Sequence, residues 1–224
     1  MRRITFATGE YYHLYNRGVD KRKVFMSPAD YRRFLAYLVA LNSTETRPIR
    51  YAVSTKDLQG LALERGAPLV AIGAFCLMPN HFHLYVTPVQ EDGVSKFMQR
   101  LQTAYTMYFN ERHERSGALF QGAFKAQHAN TDAYARYLFS YIHLNPAKLK
   151  DAQWQEGGVR DWRSLRYFVE TYRYSSLIEY RSREHLITEP RAFPGYLARR
   201  RSVEDHVAEW LRLGRFTRLS LGKV

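Results

Sequence analysis

One stretch of the sequence decides between the possible folds: Met78-Pro79-Asn80-His81-Phe82-His83-Leu84-Tyr85-Val86. Its β-branched and aromatic residues alternate as they do in a β-strand. Because successive side chains on a strand point to opposite faces, His81 and His83 share one face with Tyr85, while the apolar residues between them share the other. The apolar residues can face a core, leaving both imidazoles aimed at one point outside it. Two imidazoles at this spacing can chelate a divalent ion, although paired polar residues on a strand often form only its solvent-facing side.

The segments around this strand carry the patterns of further strands and helices. Upstream, the spacing predicts a strand at 11–16, a helix at 28–41 and a buried strand at 69–77, which turns into the histidine strand at 81–87. Downstream, it predicts a helix at 94–112, a strand or ribbon at 118–125, and a helix at 132–144 that ends near Asn145-Pro146. This order predicts an α+β fold with a ferredoxin-like antiparallel sheet.

The rest of the chain is expected to add to this domain. We expect residues 1–150 to form one domain with an insertion at about 43–68, in which a short helix is predicted near Leu58–Glu64. Residues 151–224 form a C-terminal helical or irregular extension, packed on or linked to that domain. A final amphipathic helix is predicted at 203–213.

Composition points to a polyanionic partner. Lys and Arg total 34 against 21 Asp and Glu, which gives a net charge of +13 and a pI near 9.9. The 17 Tyr and 13 Phe offer stacking surfaces for unpaired bases, so nucleic acid is favoured over a charge that serves solubility alone. Cys76 is the single cysteine, and no apolar run is long enough to span a bilayer. We therefore expect a cytoplasmic, nucleoid-associated protein without membrane contact.

The predicted helix at 132–144 carries a second group of polar residues. Tyr134, Tyr137, Tyr141 and Asn145 follow one another at steps of three or four, so they share one helical face. Tyrosines at this spacing are commonly half-buried packing residues with a solvated hydroxyl. Spacing alone does not choose between Tyr137 and Tyr141 as a nucleophile.

Several motifs occur in combination. The sequence contains His81-Phe82-His83, Tyr141-Ile142-His143-Leu144-Asn145-Pro146 and Tyr12-His13-Leu14-Tyr15-Asn16-Arg17-Gly18, with shorter matches at Phe120-Gln121-Gly122 and Tyr174-Ser175-Ser176. Over roughly residues 10–180 this combination resembles the REP-associated tyrosine transposases, which are single-tyrosine members of the HUH endonuclease superfamily. One departure is Ala123, where the family often has arginine.

The resemblance implies a metal-dependent enzyme with the HUH endonuclease fold. His81, His83 and Asn145 would hold Mg²⁺ or Mn²⁺, and Tyr141 would be the nucleophile. Such an enzyme cuts and rejoins single-stranded DNA at hairpin (REP-like) elements, through a 5′-phosphotyrosine and a free 3′-OH. A monomer that acts in cis is expected, with a dimer as the alternative.

Basic side chains are candidates for contacts with the DNA backbone, although surface lysines and arginines commonly serve solubility. The candidates are Lys96, Arg100, Arg112, Arg115, Lys125 and Arg136, with a further cluster at Arg199-Arg200-Arg201.

Two other functions stay open at this point. The chain can be a host-retained hairpin-binding protein without productive transposition, although the complete set of site residues argues against a decayed site. A metal-dependent hydrolase that activates water would need a carboxylate base, and the nearest, Glu91 and Asp92, lie beyond Pro88. For His13, His113 and His128 the sequence predicts no partner in the site, and His143 is expected to point about 200° away from Tyr141.

Overall fold

The computed structural model describes residues 4–45, 53, 56–154 and 161–195. Within them, four strands form one antiparallel sheet in the order β2-β3-β1-β4. These strands are β1 (Tyr12–Arg17), β2 (Val70–Met78), β3 (His81–Pro88) and β4 (Lys125–His128). The predicted α+β fold with a ferredoxin-like sheet is confirmed.

The described helices are α1 (Pro28–Ala40), α2 (Leu58–Glu64), α3 (Gly93–Arg112), α4 (Asp132–Leu144), α5 (Ala147–Lys150), α6 (Trp162–Glu170) and α7 (Leu177–Ser182). Short 3₁₀ turns occur at Val19–Lys21 and Pro190–Ala192. The helices predicted at 28–41, 58–64, 94–112 and 132–144 are confirmed. In the part of the chain that the structure describes, no helix is both long and apolar enough to cross a membrane.

The strand predicted at 118–125 is wrong in position, because β4 begins only at Lys125. Phe120 forms an isolated bridge to Gly18 and is buried. Gly122 then adopts a left-handed backbone with φ +68°, which interrupts the extended chain. Residues 118–124 therefore form a loop, in which Leu119, Phe120 and Phe124 are buried, and a short strand follows it.

One face of the sheet packs against α1 and α3. Phe82, Leu84 and Val86 of β3 are fully buried there, in a cluster that includes Phe34 of α1 and Phe97 of α3. This is the core that the alternating apolar residues of the histidine strand predicted.

The opposite face is covered as well. Tyr85 of β3 is buried against Leu138 and Ile142 of α4, and Phe193 from the C-terminal extension packs on the same face. The expectation that this side of the strand points outside the core is therefore wrong, since His83 is also 0% exposed. The cause is that α4 and the extension form a second layer, which turns a solvent-facing side into an interior.

The extension runs along the outer edge of β2. The backbone N–H of Leu77 donates to the carbonyl of Tyr174 (2.9 Å), and that of Ser176 donates to the carbonyl of Phe75 (3.0 Å). The ring of Tyr174 stacks on Tyr31 of α1 with centroids 3.8 Å apart. Residues 161–195 thus pack on the sheet, whereas the Arg199-Arg200-Arg201 cluster and the helix predicted at 203–213 lie outside the described residues.

Candidate active site

Three imidazoles meet where β1 and β3 lie side by side. In the antiparallel register Tyr15 is opposite His83, and His13 is opposite Tyr85. His13 and His83 are therefore diagonal neighbours on one face, and His13 Nε2 lies 2.8 Å from His83 Nδ1. His81 follows on the same face of β3, with its ring centroid 4.9 Å from that of His83.

Hydrogen bonds leave the Nε2 atoms of His81 and His83 for the site. His81 Nδ1 lies 2.6 Å from Asn80 Oδ1, and an amide oxygen only accepts, so Nδ1 carries the proton. His83 Nδ1 is engaged by His13. His83 Nε2 is buried and has no hydrogen-bond partner among the described residues, which is the condition of a nitrogen that awaits a ligand.

Both imidazoles are neutral at pH 7. Burial lowers the pKa of His81 to about 4, and the positive charges of Lys148 and Arg17 add to that effect. Burial, with His81, His13 and Lys148 as neighbours, lowers the pKa of His83 well below its usual value. A neutral imidazole keeps the lone pair with which it binds a metal ion.

Helix α4 brings the tyrosines to this point. It begins after Thr131, whose hydroxyl accepts a hydrogen bond from the Tyr134 N–H (3.2 Å). One face carries Tyr141, whose ring centroid lies 5.5 Å from His83 and 6.3 Å from His13. Tyr137 stacks on Tyr141 at 6.0 Å, one turn earlier. The contacts with the imidazoles thus distinguish Tyr141 from Tyr137, which spacing alone does not.

Asn145 supplies an oxygen at the end of the same helix. Its Nδ2 donates to the Tyr141 carbonyl (2.9 Å). Its Oδ1 is buried and, like His83 Nε2, lacks a hydrogen-bond partner among the described residues. Burial raises the pKa of Tyr141, and a hydrogen bond with the Asn145 side chain opposes that rise. The phenol is therefore protonated at neutral pH and needs nearby positive charge to ionise.

These donors fit a divalent ion. The described part of the chain contains no group of three or more His, Cys, Asp or Glu residues arranged to hold a metal. A metal site at this point would combine the imidazoles of His81 and His83 with the amide oxygen of Asn145. His83 Nε2 and Asn145 Oδ1 are buried without a hydrogen-bond partner among the described residues, which is consistent with that set of metal ligands. Such nitrogen and amide-oxygen donors suit an exchangeable ion rather than a closed structural zinc.

Two cationic side chains that were not predicted from the sequence lie beside the site. Lys148 Nζ lies 5.8 Å from the centre of the Tyr141 ring. Asn145 and Pro146 keep right-handed helical backbone angles, so Lys148, seven residues after Tyr141, returns to the same face within about 20°. Pro146 was expected to end the helix, which hid this relation. Arg17 is the other cation, and its Nε donates to Gln121 Oε1 (2.7 Å).

Sequence reasoning also missed His13 and Tyr15. His13 was expected to have no partner in the site, which is wrong, and the Tyr15 ring lies 4.7 Å from His13 and 5.9 Å from His83. A signal was available. Tyr12-His13-Leu14-Tyr15 alternates as the histidine strand does, and a ferredoxin-like order places β1 beside β3.

Three other histidines, His143, His113 and His128, have partners outside this group. His143 Nε2 contacts Ser176 Oγ at 2.7 Å, which confirms that it points away from Tyr141. His113 contacts Asp30 (3.1 Å) and His128 contacts Glu10 (2.6 Å).

The candidate DNA contacts are divided between the two sides of the sheet. Lys96, Arg100 and Arg112 belong to α3, on the side opposite Tyr141. Arg100 donates to the Ser43 carbonyl (2.7 Å), and Arg112 lines a cavity of about 470 Å³ together with Arg32, Arg33 and Lys56. A role of these three residues in DNA binding stays a prediction.

The other three candidates follow α3 or lie near the site. Arg115 is held by Asn110 Oδ1 (2.6 Å) and the Ala118 carbonyl (3.1 Å). Lys125 of β4 lies 6.0 Å from the Tyr15 ring, and Arg136 is exposed on α4. Lys125 and Arg136 are therefore the candidates on the side of Tyr141.

Comparisons with known proteins bear on this site. Residues 60–145 match the family described as IS200-like transposases. A solved REP-associated tyrosine transposase bound to a REP hairpin superposes with a TM-score of 0.50, over 82% of this chain and 86% of that chain, at 14% identity. The resemblance to the tyrosine transposases is confirmed. At this identity the structural likeness establishes the fold, and no curated protein sequence matches the chain.

The segment that matches the transposase family contains His81, His83, Tyr141 and Asn145. His13 and Lys148 lie outside it, on the strand before it and the helix after it. The site is thus assembled from the family segment and its flanks.

Proposed function

We propose that this protein is a metal-dependent single-stranded DNA endonuclease and strand transferase, which cuts and rejoins hairpin (REP-like) elements through a covalent bond to Tyr141. One observation carries the proposal. The Tyr141 ring packs against His83, beside two buried donor atoms, His83 Nε2 and Asn145 Oδ1, that lack partners among the described residues. The net charge of +13 suits a nucleic-acid partner, and the structurally similar transposase is bound to a hairpin.

Each residue has a distinct role in this proposal. His81 Nε2, His83 Nε2 and Asn145 Oδ1 would hold Mg²⁺ or Mn²⁺ and leave other positions open. When bound, the ion would supply charge neutralisation and polarisation of the scissile phosphate. Lys148 beside the Tyr141 ring favours the phenolate by electrostatic attraction.

The chemistry requires no external energy source. The Tyr141 phenol gives up its proton, and its oxygen attacks phosphorus in line with the bond to the 3′ oxygen. That bond breaks, the 3′ oxygen takes up a proton, and the 5′ phosphate stays on the tyrosine. Because one phosphoester replaces another, attack by a 3′-OH reverses the step and joins strands.

The decisive experiment is incubation with single-stranded hairpin DNA and Mn²⁺ or Mg²⁺, followed by denaturing electrophoresis. We expect a covalent protein–DNA adduct in the wild type and in Tyr137→Phe, and no adduct in Tyr141→Phe. The two variants lose the same hydroxyl one helical turn apart, so each controls for the other. Adduct loss in Tyr137→Phe alone would mean that the nucleophile is misassigned.

The same experiment separates the alternatives. Tight hairpin binding with no adduct or cut strand under either metal would instead favour a hairpin-binding protein without productive transposition. Cut DNA without any adduct would favour a water-activating hydrolase. Against the latter, Glu91 and Asp92 follow the far end of β3, and His83 is roughly 17 Å from that end along the strand.

We also propose that one chain supplies the whole site, as a monomer acting in cis. Tyr141→Phe and His83→Ala proteins are each expected to be inactive, and a mixture of the two is expected to remain inactive. Recovery of adduct in the mixture would show that the tyrosine of one chain serves the metal site of another.

A further inference from the structure

The contact between His13 and His83 is a hydrogen bond in an interior. His13 Nε2 and His83 Nδ1 are 2.8 Å apart, and the two residues are 1% and 0% exposed. Two neutral imidazoles that face each other in this way share one proton between the facing nitrogens. Two arrangements are possible, and they differ in what His83 presents to the site.

In the first arrangement His13 Nε2–H donates to His83 Nδ1. A neutral His83 then carries its proton on Nε2, so it turns an N–H toward the site and binds no cation. In the second arrangement His83 Nδ1–H donates to His13 Nε2. His83 Nε2 then keeps its lone pair, and His13 carries its own proton on Nδ1.

We propose that His13 is a positioning residue that accepts the His83 Nδ1–H and so presents the Nε2 lone pair of His83 to a divalent cation. This rests on the metal site of the proposed function. An outer acceptor of this kind fixes both the tautomer and the orientation of a metal-binding histidine.

The unpartnered nitrogens support this assignment. His13 Nδ1 and His83 Nε2 are both buried without a hydrogen-bond partner among the described residues. In either arrangement, therefore, these two atoms have no partner among the described residues. A cation at His83 Nε2 would provide a partner for one of them, and only the second arrangement offers the cation a lone pair there.

His81, the other proposed histidine ligand, has a similar hydrogen-bond acceptor, which is an amide oxygen instead of an imidazole nitrogen. His81 Nδ1 lies 2.6 Å from Asn80 Oδ1, which must accept, so the lone pair of the neutral His81 ring is on Nε2. Asn80 adjoins His81 in sequence, whereas His13 is 70 residues from His83. The Tyr15 ring stacks on His13 with an interplanar angle of 29°, which holds the acceptor in its plane.

The test measures Mn²⁺ affinity of the full chain without DNA, by calorimetric titration, in matched variants. His13→Leu removes the acceptor, and we expect Mn²⁺ affinity to fall about 10–100-fold. His13→Gln restores an acceptor oxygen at a similar reach, and we expect affinity within about threefold of wild type. His143→Leu, which alters a buried histidine bonded to Ser176 instead, should leave Mn²⁺ affinity unchanged.

A second measurement keeps the test decisive if His13→Leu does not fold. The ¹⁵N shifts of the wild-type imidazoles report which nitrogen of His83 carries the proton. We expect the proton on Nδ1, and a proton on Nε2 in the metal-loaded protein would overturn the proposal. Wild-type Mn²⁺ affinity in a folded His13→Leu variant would also overturn it.

These outcomes are separable from those of the proposed function. A protein that binds Mn²⁺ in a His13-dependent way but forms no DNA adduct would refute the nuclease and keep the role of His13. If the His83→Ala variant bound Mn²⁺ as tightly as the wild type, His83 would not be a metal ligand. That result would refute the role proposed for His13.

Discussion

The two faces of β3 are both buried, but their side chains are buried in different ways. Phe82 and Leu84 pack with other apolar side chains under α1 and α3. His83 lies under α4 next to Tyr141, and His83 Nε2 and Asn145 Oδ1 are buried there without a hydrogen-bond partner among the described residues. Apolar side chains bury no polar atom that needs a partner, whereas a buried donor or acceptor without one costs free energy. Residues one position apart on one strand thus differ in role, since Phe82 and Leu84 contribute to stability and His83 belongs to the proposed active site.

The largest expected effect is on the polar face. His83→Ala removes a proposed metal ligand, whose ion contributes several kcal/mol to the transition state. We expect adduct formation to fall on the order of 10³-fold, with the urea midpoint close to that of wild type. Time courses on denaturing gels and urea unfolding measure the two quantities. If His83→Ala lost activity only because the protein unfolded, the proposed difference in role between the two faces of β3 would be contradicted.

Leu84→Ala is the matched change on the apolar face. Leu84 is 0% exposed, and its truncation leaves a cavity that costs about 2–5 kcal/mol of unfolding free energy. The fraction that stays folded should form adduct at nearly the wild-type rate. Equilibrium urea unfolding gives the first number, and adduct rates under native conditions give the second. A stable but inactive Leu84→Ala protein would contradict the division.

A smaller effect is expected from Ser176. Its hydroxyl is buried on the α4 side of the sheet and, unlike His83 Nε2, has hydrogen-bond partners. Its hydroxyl accepts from the Phe75 N–H (2.9 Å) and contacts His143 Nε2 (2.7 Å). Ser176→Ala should lower the unfolding free energy by about 1–3 kcal/mol. Ser175→Ala is the control, because the bond that the Ser175 hydroxyl accepts from the Leu177 N–H is longer (3.4 Å). Equal losses in the two variants would show that the pairing of Ser176 is not what matters.

The smallest expected effect is a pH dependence of stability that comes from Asp30, a buried carboxylate on the side of the sheet that α1 and α3 cover. Burial alone would raise the pKa of Asp30, but hydrogen bonds from the Met26 and Ser27 backbone and from His113 and Ser27 side chains lower it on balance. A carboxyl with a depressed folded pKa stabilises the protein above its unfolded pKa, near 3.8, and that contribution is lost as pH falls through the folded value.

Asp30→Asn should therefore flatten the decline of the melting temperature below about pH 4 relative to wild type. Thermal unfolding at a series of acidic pH values checks this. An unchanged acid slope in the variant would assign the decline to other carboxyls.

Several helices, the histidine strand and the motif that contains Tyr141 and Asn145 were predicted from the sequence. They were predictable because the patterns that indicate them lie within short segments of the chain. The helix at 28–41 was readable from the cap at Ser27 and an apolar stripe, and His81 and His83 from strand alternation. Asn145 and Tyr141 came from a motif within one helix turn. Each of these relations spans only a few residues of the chain.

What sequence reasoning missed depends on relations between distant residues. His13 reaches His83 only after β1 pairs with β3. Lys148 returns to the face of Tyr141 because Asn145 and Pro146 stay helical, which a proline ordinarily argues against. The interior position of His83 requires the second layer, and no periodicity in 81–87 encodes whether another segment covers that side.

The strip that the extension lays along β2 has a consequence for self-association. An edge strand with open carbonyl groups is a template for pairing with another chain. Here the Ile72, Gly73, Phe75 and Leu77 carbonyls already accept hydrogen bonds from Glu189, Tyr180, Ser176 and Tyr172. These hydrogen bonds oppose the pairing of a second copy with the edge of β2. A chain shortened to residue 171 would expose the β2 edge and should aggregate.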